Sequence, residues 1–253
     1  MYYLLYFFYF SFVFYFGIVG VVLLQFRLIV LYNFYILSKS ITLELWGFPC
    51  SSGLVHYLGV IMKSIELFNK KLYYKGNIDI INHDSIGVVG TRKPSIESVE
   101  FIKREVKKLS QEKVIISGLA VGTDRIAHET CIENDGLTIA ILPSGLNKIY
   151  PLKHKKLVKS ILENDGLIIS EYEPDKIANR RRFIQRDGLI ALFSDELLVP
   201  QCNIRSGTMH TVNFTKKLGK KIYVQDSNYE GNKYILRNYN NATKYGENYD
   251  KRN

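Results

Sequence analysis

Short apolar runs alternate with longer amphipathic segments along the chain from residue 71 onward. Most of the runs are apolar on successive residues rather than on alternate ones, as strands buried on both faces require. We predict strands at Ile86–Gly90, Val114–Gly118, Thr138–Leu142, Leu167–Glu171, Leu197–Gln201 and Lys221–Gln225.

The segments between these runs have helical periodicity. In the first of them, Ile96–Leu109, the residues Val99, Ile102 and Val106 fall on one face of a helix and the lysines fall on others. Further helices are predicted at Thr123–Asn134, His154–Glu163, Phe183–Phe193 and Thr208–Leu218. Strands that alternate with helices predict an α/β fold over residues 71–237, with a mostly parallel, doubly wound sheet and helices on both faces.

The segment 1–37 differs from the rest of the chain because no charge precedes Arg27. This uncharged run exceeds the ~20 residues that span a bilayer. As a membrane anchor flanked by Arg27 and Lys39, it would leave the remaining chain in the cytoplasm. AT-rich DNA upstream of a true start codon, with Met62 as a later start, would encode a similar run. Both interpretations stay open.

Two further segments have no strong pattern. Residues 38–70 are interpreted as a connector with a short helix around Val55–Phe68. Residues 238–253 form a polar tail, and we expect the chain to fray from Ser227 onward because Asn, Tyr and Lys dominate there.

The net charge indicates the class of partner, and the cysteine spacing indicates the cellular compartment. The 253-residue chain has 34 Lys and Arg against 24 Asp and Glu, a net charge of +10. This balance favours polyanionic partners such as nucleic acid or an anionic membrane surface. The three cysteines lack paired spacing, which argues against a disulfide framework and a zinc site and favours a reducing cytosol. We expect no metal and no cofactor.

Loops at the predicted strand ends are rich in small and polar residues, and such sheets bind ligands beyond the carboxyl ends of their strands. In the first loop, Gly90 permits a close backbone approach, Thr91 and Ser95 supply hydroxyls, and Arg92 can bind a phosphate. The third loop, made of Arg205, Ser206, Gly207 and Thr208, again leads into a helix. Both loops are predicted to bind anions.

The second loop contains Ser117, Gly118, Gly122 and Asp124. Its glycines are predicted to expose backbone N–H groups at the positive end of a helix dipole. Asp124 and His128 face the same way on that helix because they are four residues apart. A structural hydrogen bond that closes the loop is favoured over an acid/base pair, since no nucleophile or metal partner accompanies them.

A basic stretch precedes the fifth strand. Arg182, Phe183 and Arg186 combine guanidinium groups with an aromatic ring, and Arg180 and Arg181 add further charge. Such a set suits a phosphate backbone with stacked bases. The dinucleotide, P-loop and nucleophile-elbow motifs are missing from the sequence, so we expect a binding protein rather than an enzyme.

Several of these segments together resemble the DprA/Smf family, the DNA-processing proteins of natural transformation. The matching segments, in the family's order, are Gly87–Arg92, Ser117–Asp124, Pro143–Pro151, Ser170–Tyr172 and Arg205–Thr208. The resemblance covers residues 71–237. It implies an extended Rossmann-like domain that binds single-stranded DNA, forms a homodimer and delivers DNA to a RecA-type recombinase without catalytic turnover.

The sequence departs from that family at several points, among them Pro200 and Gln201, where a Val-Glu pair is common. Where the family has an Arg-Asn-Arg run, this chain has Arg186, Asp187 and Gly188, hence one arginine fewer and one carboxylate more. Two other functions are weighed against DNA binding. A related lysine-decarboxylase-like hydrolase of nucleoside monophosphates would need a Glu where Thr211 lies, and a threonine hydroxyl is no general acid. The second is a membrane-tethered sensor that binds a small nucleotide.

Overall fold

The computed structural model describes residues 62–246. The apolar segment 1–37, with its two interpretations, lies outside the described residues. A nine-stranded sheet occupies the centre of the described part. Its strands are β1 Lys63–Leu67, β2 Lys70–Gly76, β3 Ser85–Val88, β4 Val114–Ser117, β5 Thr138–Leu142, β6 Leu167–Ser170, β7 Glu196–Val199, β8 Lys221–Val224 and β9 Ala242–Lys244.

Helices connect the parallel strands. They are α1 Ile96–Leu109, α2 Thr123–Ile132, α3 Lys155–Glu163, α4 Arg180–Phe193, α5 Thr208–Lys217 and α6 Glu230–Asn238. Helix α1 has the predicted bounds, and its first turn is capped by Ser95, whose side chain accepts a hydrogen bond from the N–H of Ser98 at 3.2 Å. None of the described helices is long and apolar enough to cross a membrane.

The strand order is β1-β2-β6-β5-β4-β3-β7-β8-β9. All neighbours from β6 to β9 are parallel, and β1, β2 and β6 pair antiparallel. From β3 the chain builds outward to β6 and then returns to place β7 on the other side of β3. The predicted doubly wound, mostly parallel sheet is confirmed. Its direction of winding changes between β3 and β7, which is where such folds open a ligand crevice.

Two layers of helices cover the sheet, and the strands feed both because alternate residues point to opposite faces. On one face, Ile102 and Val106 of α1 pack with Ile115. On the other, Leu189 of α4 packs in the cluster that contains Ile116. The predicted helices on both faces are thereby confirmed. Apolar burial on both sides explains why the strands are apolar on successive residues.

The segment interpreted as a connector contains a hairpin. Over its described part, the helix predicted around Val55–Phe68 is wrong, since Lys63–Leu67 is strand β1 and pairs antiparallel with β2. Phe68 and Asn69 have φ values of 54° and 57°, as a tight hairpin turn requires. Strand β1 buries its apolar side chains against the core cluster, so pairing with β2 outweighs local helical preference.

The tail predicted to fray from Ser227 is also corrected, because α6 and β9 follow it. Asn232 connects α6 to the segments after β7 and β8 through hydrogen bonds. Its side-chain amide donates to the carbonyl oxygens of Pro200 and Gln225, and its amide oxygen accepts from the N–H of Cys202 at 2.9 Å. Ile235 lies in the core cluster. A polar sequence is ordered here because one buried side chain satisfies several backbone groups.

Candidate nucleic-acid cleft

A cavity of about 770 Å³ opens at the carboxyl ends of β3 and β7, where the winding of the sheet reverses. We call it the cleft. The loops after β3 and β7 line it, together with the amino-terminal turns of α4 and α5. Loops that are far apart in the sequence therefore meet at one edge of the sheet, as their positions at the ends of parallel strands predict.

Three exposed arginines line the cleft from three different segments. Arg92 follows β3, Arg180 begins α4, and Arg205 precedes α5. We call them the exposed arginines. No ion pair is recorded for any of these three within residues 62–246. Their guanidinium groups are thus available to an anion.

Arg186 also lines the cleft, but it is buried and paired with carboxylates. Only 5% of it is exposed. Its Nη1 lies 3.5 Å from Asp124 Oδ2 and its Nε lies 3.4 Å from Asp187 Oδ1. We call these three residues the buried charge cluster. The sequence predicts that Arg186 binds nucleic acid, and this stays a prediction; in the structure two carboxylates pair with its guanidinium, as a buried charge requires.

Burial raises the pKa values of the two carboxyl groups. Desolvation raises the pKa of Asp187 to about 6, with the Arg186 guanidinium opposing the rise and Asp124 adding to it. Burial also raises the pKa of Asp124, while Arg186 and the N–H of Ala120, which donates to Asp124 Oδ2 at 3.2 Å, lower it. Asp124 therefore anchors the loop after β4 as well as Arg186.

Phe183 lines both the cleft and a smaller cavity of about 50 Å³. The guanidinium carbons of Arg92 and Arg186 lie 5.8 and 5.7 Å from its ring centroid. Tyr150, which is 48% exposed, meets the ring edge-to-face at 5.4 Å between centroids. An aromatic ring flanked by cations at a groove is a base-stacking arrangement. Sequence reasoning did not assign Tyr150 to the site, since its distance along the chain hides the contact.

The loop after β3 is held by β7. The N–H of Thr91 donates to the carbonyl oxygen of Gln201 at 2.8 Å, and Gln201 Oε1 accepts from the N–H of Ser95 at 2.8 Å. A Cβ on Gly90 would come within 2.5 Å of Thr123 Oγ1. Ser95 caps α1 and does not line the cleft. The loop is thus rigidly placed and presents Arg92. Sequence reasoning missed the role of Gln201; a polar residue just after a strand at the switch point was the available signal.

The loop after β4 is largely structural. The buried Ser117 hydroxyl donates to the carbonyl oxygen of Val88 at 2.6 Å. A Cβ on Gly118 would lie 1.1 Å from Arg186 Nη1, and one on Gly122, where φ is +82°, would lie 2.6 Å from the Arg92 backbone. The anion contacts predicted for these residues stay a prediction; in the structure Ser117 bonds to the protein itself, and the two glycines leave room for the Arg186 side chain and the Arg92 backbone.

The loop after β7 retains an open helix end. Ser206, Gly207 and Thr208 line the cleft at the start of α5, and nothing lies within 4 Å of a Cβ built on Gly207. The N–H groups of Met209 and His210 donate to the carbonyl oxygens of Ser206 and Gly207, so backbone contact with an anion falls to the residues before them, at the positive end of the helix. The loop after β4 also reaches the cleft at a helix start, but with the carboxylate of Asp124; the loop after β7 places a helix start without a carboxylate there.

Arg182 and His128 lie away from the cleft lining. Arg182 donates to the carbonyl oxygen of Ile177 and stacks over Tyr172 at 4.9 Å. His128 Nδ1 donates to Thr138 Oγ1 at 2.7 Å, since the Thr138 hydroxyl itself donates to Ile115. The structural interpretation of Asp124 and His128 therefore fits better than an acid/base pair. Residues 62–246 contain no cluster of three or more His, Cys, Asp or Glu that could hold a metal.

The chain is similar to known proteins over the described residues. The model of the family described as DNA recombination-mediator protein A matches residues 57–248. DNA processing protein DprA of Streptococcus pneumoniae is 34% identical over 152 residues, 60% of this chain and 54% of that protein. Protein Smf of Borreliella burgdorferi is 36% identical over 162 residues, 63% and 51% of the two chains. The chain thus spans about half the length of these curated relatives.

Solved structures extend the comparison to the fold. DNA processing protein A of Helicobacter pylori, described for its single-stranded DNA binding mode, superposes with a TM-score of 0.65 at 28% identity, over 70% of this chain and 87% of that one. DprA of Streptococcus pneumoniae superposes with a TM-score of 0.67 at 25% identity, over 76% and 75%. The extended Rossmann-like fold is confirmed.

Proposed function

We infer the function from one premise: the chain belongs to the DNA recombination-mediator protein A family. We propose that the cleft binds single-stranded DNA, without catalytic turnover. A solved relative of 28% identity is described for binding single-stranded DNA. The observation that carries the proposal is the position of the exposed arginines on the same cleft as Phe183.

The exposed arginines suit the sugar-phosphate backbone. Arg92, Arg180 and Arg205 converge on the cleft from three segments, so a strand that crosses it meets several guanidinium groups in turn. The helix end at Gly207 adds backbone N–H groups for a phosphate oxygen. Binding through such contacts releases condensed counterions and depends steeply on salt.

Phe183 gives the reason for preferring single strands. It lines both the cleft and the smaller cavity, and its ring contacts Tyr150. A base stacks on such a ring only when its face is free, and in a duplex neighbouring bases cover both faces. Single strands are therefore expected to bind more tightly than duplexes.

Salt-dependent binding tests the proposal. The full chain is titrated against labelled single-stranded and double-stranded oligonucleotides at several salt concentrations. Arg92→Ala and Arg205→Ala are each expected to weaken single-strand binding by about tenfold or more and to reduce the salt slope by about one. Phe183→Leu is expected to reduce the preference for single strands.

Lys103→Ala is the matched control, because it removes an exposed positive charge from α1 outside the cleft lining. It should leave the single-strand affinity of the protein nearly unchanged. Affinity that is independent of salt, or that falls equally in Lys103→Ala and Arg92→Ala, contradicts the proposal.

Family membership also supports two partner proposals. We propose that the protein forms a homodimer and delivers single-stranded DNA to a RecA-type recombinase in the cytoplasm. Light scattering on the full chain tests the dimer. Co-sedimentation of a RecA-type recombinase on DNA coated with a single-strand binding protein, with and without this chain, tests delivery.

A small nucleotide is the second candidate ligand, because the volume of the cleft, about 770 Å³, lies within the range of small-molecule sites. A mononucleotide that displaces the oligonucleotide at similar concentration would favour a sensor. Release of free base from a nucleoside monophosphate would favour the hydrolase, although Thr211 occupies the wall of the cleft where that class needs a carboxylate.

A further inference from the structure

Asp187 is a carboxylate in the wall of a cleft that is otherwise suited to anions. It lines the cleft together with the exposed arginines, and 8% of it is exposed. Its recorded partner among the described residues is Arg186, whose Nε lies 3.4 Å from Asp187 Oδ1. A negative charge held here opposes any phosphate that enters.

The charged groups around Asp187 come from three further elements. Three charged groups change the pKa of Asp187 electrostatically. Arg186, the preceding residue on α4, and Arg92, in the loop after β3, lower it, and Asp124 on α2 raises it. Helix α5, which packs on α4, contributes His210 to the same cleft. Asp124 and Asp187 share one buried guanidinium, so the second carboxylate is not fully compensated.

We propose that Asp187 couples DNA binding to proton uptake, so that the cleft holds the phosphate backbone more tightly when the Asp187 carboxyl is neutral. This inference rests on the proposed function of the same cleft. Protonation has two effects at once: it removes a negative charge from the wall and leaves Arg186 with Asp124 alone. Both effects make the potential in the cleft more positive.

The direction of the pH dependence follows from linkage. Burial raises the pKa of Asp187 to about 6 in the free protein. A bound phosphate adds negative charge nearby and raises that pKa further, because a like charge disfavours the ionised form. Affinity therefore rises as the pH falls through the pKa of the complex and levels off below the pKa of the free protein. Each unit by which DNA raises the pKa strengthens binding about tenfold.

Fluorescence anisotropy on the full chain tests the inference, with an oligothymidylate of about 20 nucleotides, which exceeds the site size of typical single-strand binding folds. A rhodamine label is used because its emission does not depend on pH. Dissociation constants are measured from about pH 8 to about pH 5, a range that brackets the expected transition. Thymine bases and phosphodiesters do not titrate in this range, so any change belongs to the protein.

Three variants locate the effect. Asp187→Asn keeps the shape of the side chain and removes its titration; it should bind at high pH as tightly as the wild type does at low pH. Asp84→Asn removes an exposed carboxylate just before β3, at the opposite edge of the sheet, and should retain the wild-type pH dependence. His210→Asn is the control for the imidazole that lines the same cleft.

The inference is supported if wild-type affinity rises about tenfold or more on acidification and Asp187→Asn abolishes the rise. It is overturned if wild-type affinity does not change with pH, or if Asp187→Asn retains the rise, whatever the result for His210→Asn. Failure to bind oligothymidylate at any pH contradicts the proposed function itself and the inference with it. Circular dichroism at each pH confirms that the variants remain folded.

Discussion

Two sets of arginines share one cleft and differ in nearly every physical respect. The exposed arginines carry no recorded ion pair among the described residues, whereas Arg186 is 5% exposed and lies between two carboxylates. A guanidinium that is open to solvent can exchange water for phosphate at little cost. A buried, compensated one contributes to the fold, and its loss leaves unpaired charge behind.

The comparison shows that residue type and position in the sequence do not by themselves determine whether an arginine binds a ligand or supports the fold. Arg180 and Arg186 lie on the same helix and in the same basic stretch, yet only Arg180 is exposed. The six-residue interval turns Arg186 toward the loop after β4, where Gly118 leaves the space for its guanidinium. Binding and stability should therefore separate between the two sets.

The largest expected effect comes from Arg186→Met. This variant leaves Asp124 and Asp187 without their shared cation, and the free energy of unfolding is expected to fall by about 3–5 kcal/mol at neutral pH. Denaturant unfolding monitored by circular dichroism measures it. Arg205→Ala, the matched change among the exposed arginines, should stay within about 0.5 kcal/mol of the wild type. Equal losses in the two variants would remove the distinction.

Gly118→Ala sharpens the same comparison. The added Cβ would lie 1.1 Å from Arg186 Nη1, so the guanidinium must leave its site and stability should fall. In the Arg186→Met background the obstructing atom is gone, and the same substitution should cost less. A double-mutant cycle measures this non-additivity. Strict additivity would mean that Gly118 does not serve Arg186.

An effect that is smaller at mildly acidic pH extends the comparison to imidazoles. Desolvation, with His154 and Arg186 as further causes, lowers the pKa of buried His128 from 6.5 to about 3. The stability that the neutral imidazole supports is fully present above about pH 6.5 and is lost as the pH falls toward 3, by up to about 1.4 kcal/mol per pH unit. His128→Asn should remove this dependence, while exposed His210→Asn should not.

The difference between wild type and His128→Asn is the relevant measurement. Asp187 acts in the opposite direction, because its folded pKa is raised to about 6 and its burial becomes less costly as the pH falls. Subtracting the two unfolding curves cancels that contribution. Identical pH profiles for the two proteins would contradict the assignment of a neutral, buried His128.

The smallest effect concerns Gly188 on α4, the helix that carries members of both sets. A Cβ there would lie 3.6 Å from the Phe214 ring, an ordinary contact distance. Gly188→Ala is expected to raise the free energy of unfolding by about 0.5–1 kcal/mol, since glycine in a helix costs conformational entropy. DNA affinity should not change. A loss of affinity would place Gly188 itself in the binding surface.

The sequence alone predicted a large part of the fold. Strand β5 and helix α1 have the predicted bounds, because consecutive apolar residues and a helical repeat are local properties. The hairpin β1–β2 and the end formed by α6 and β9 were mispredicted. Their stability depends on pairing and on the buried hydrogen bonds of Asn232, which join segments far apart in the chain.

The candidate site likewise has features that the sequence predicts and features that only the tertiary structure shows. Apolar runs and helical periodicity determined that the loops after β3, β4 and β7 would meet at the carboxyl edge of the sheet, since parallel strands align those ends. Only the tertiary structure decided that Arg92 and Arg205 stay open while Arg186 is buried with Asp124 and Asp187. The physical reason is that exposure and charge state depend on neighbours brought from distant segments, and no local pattern records them.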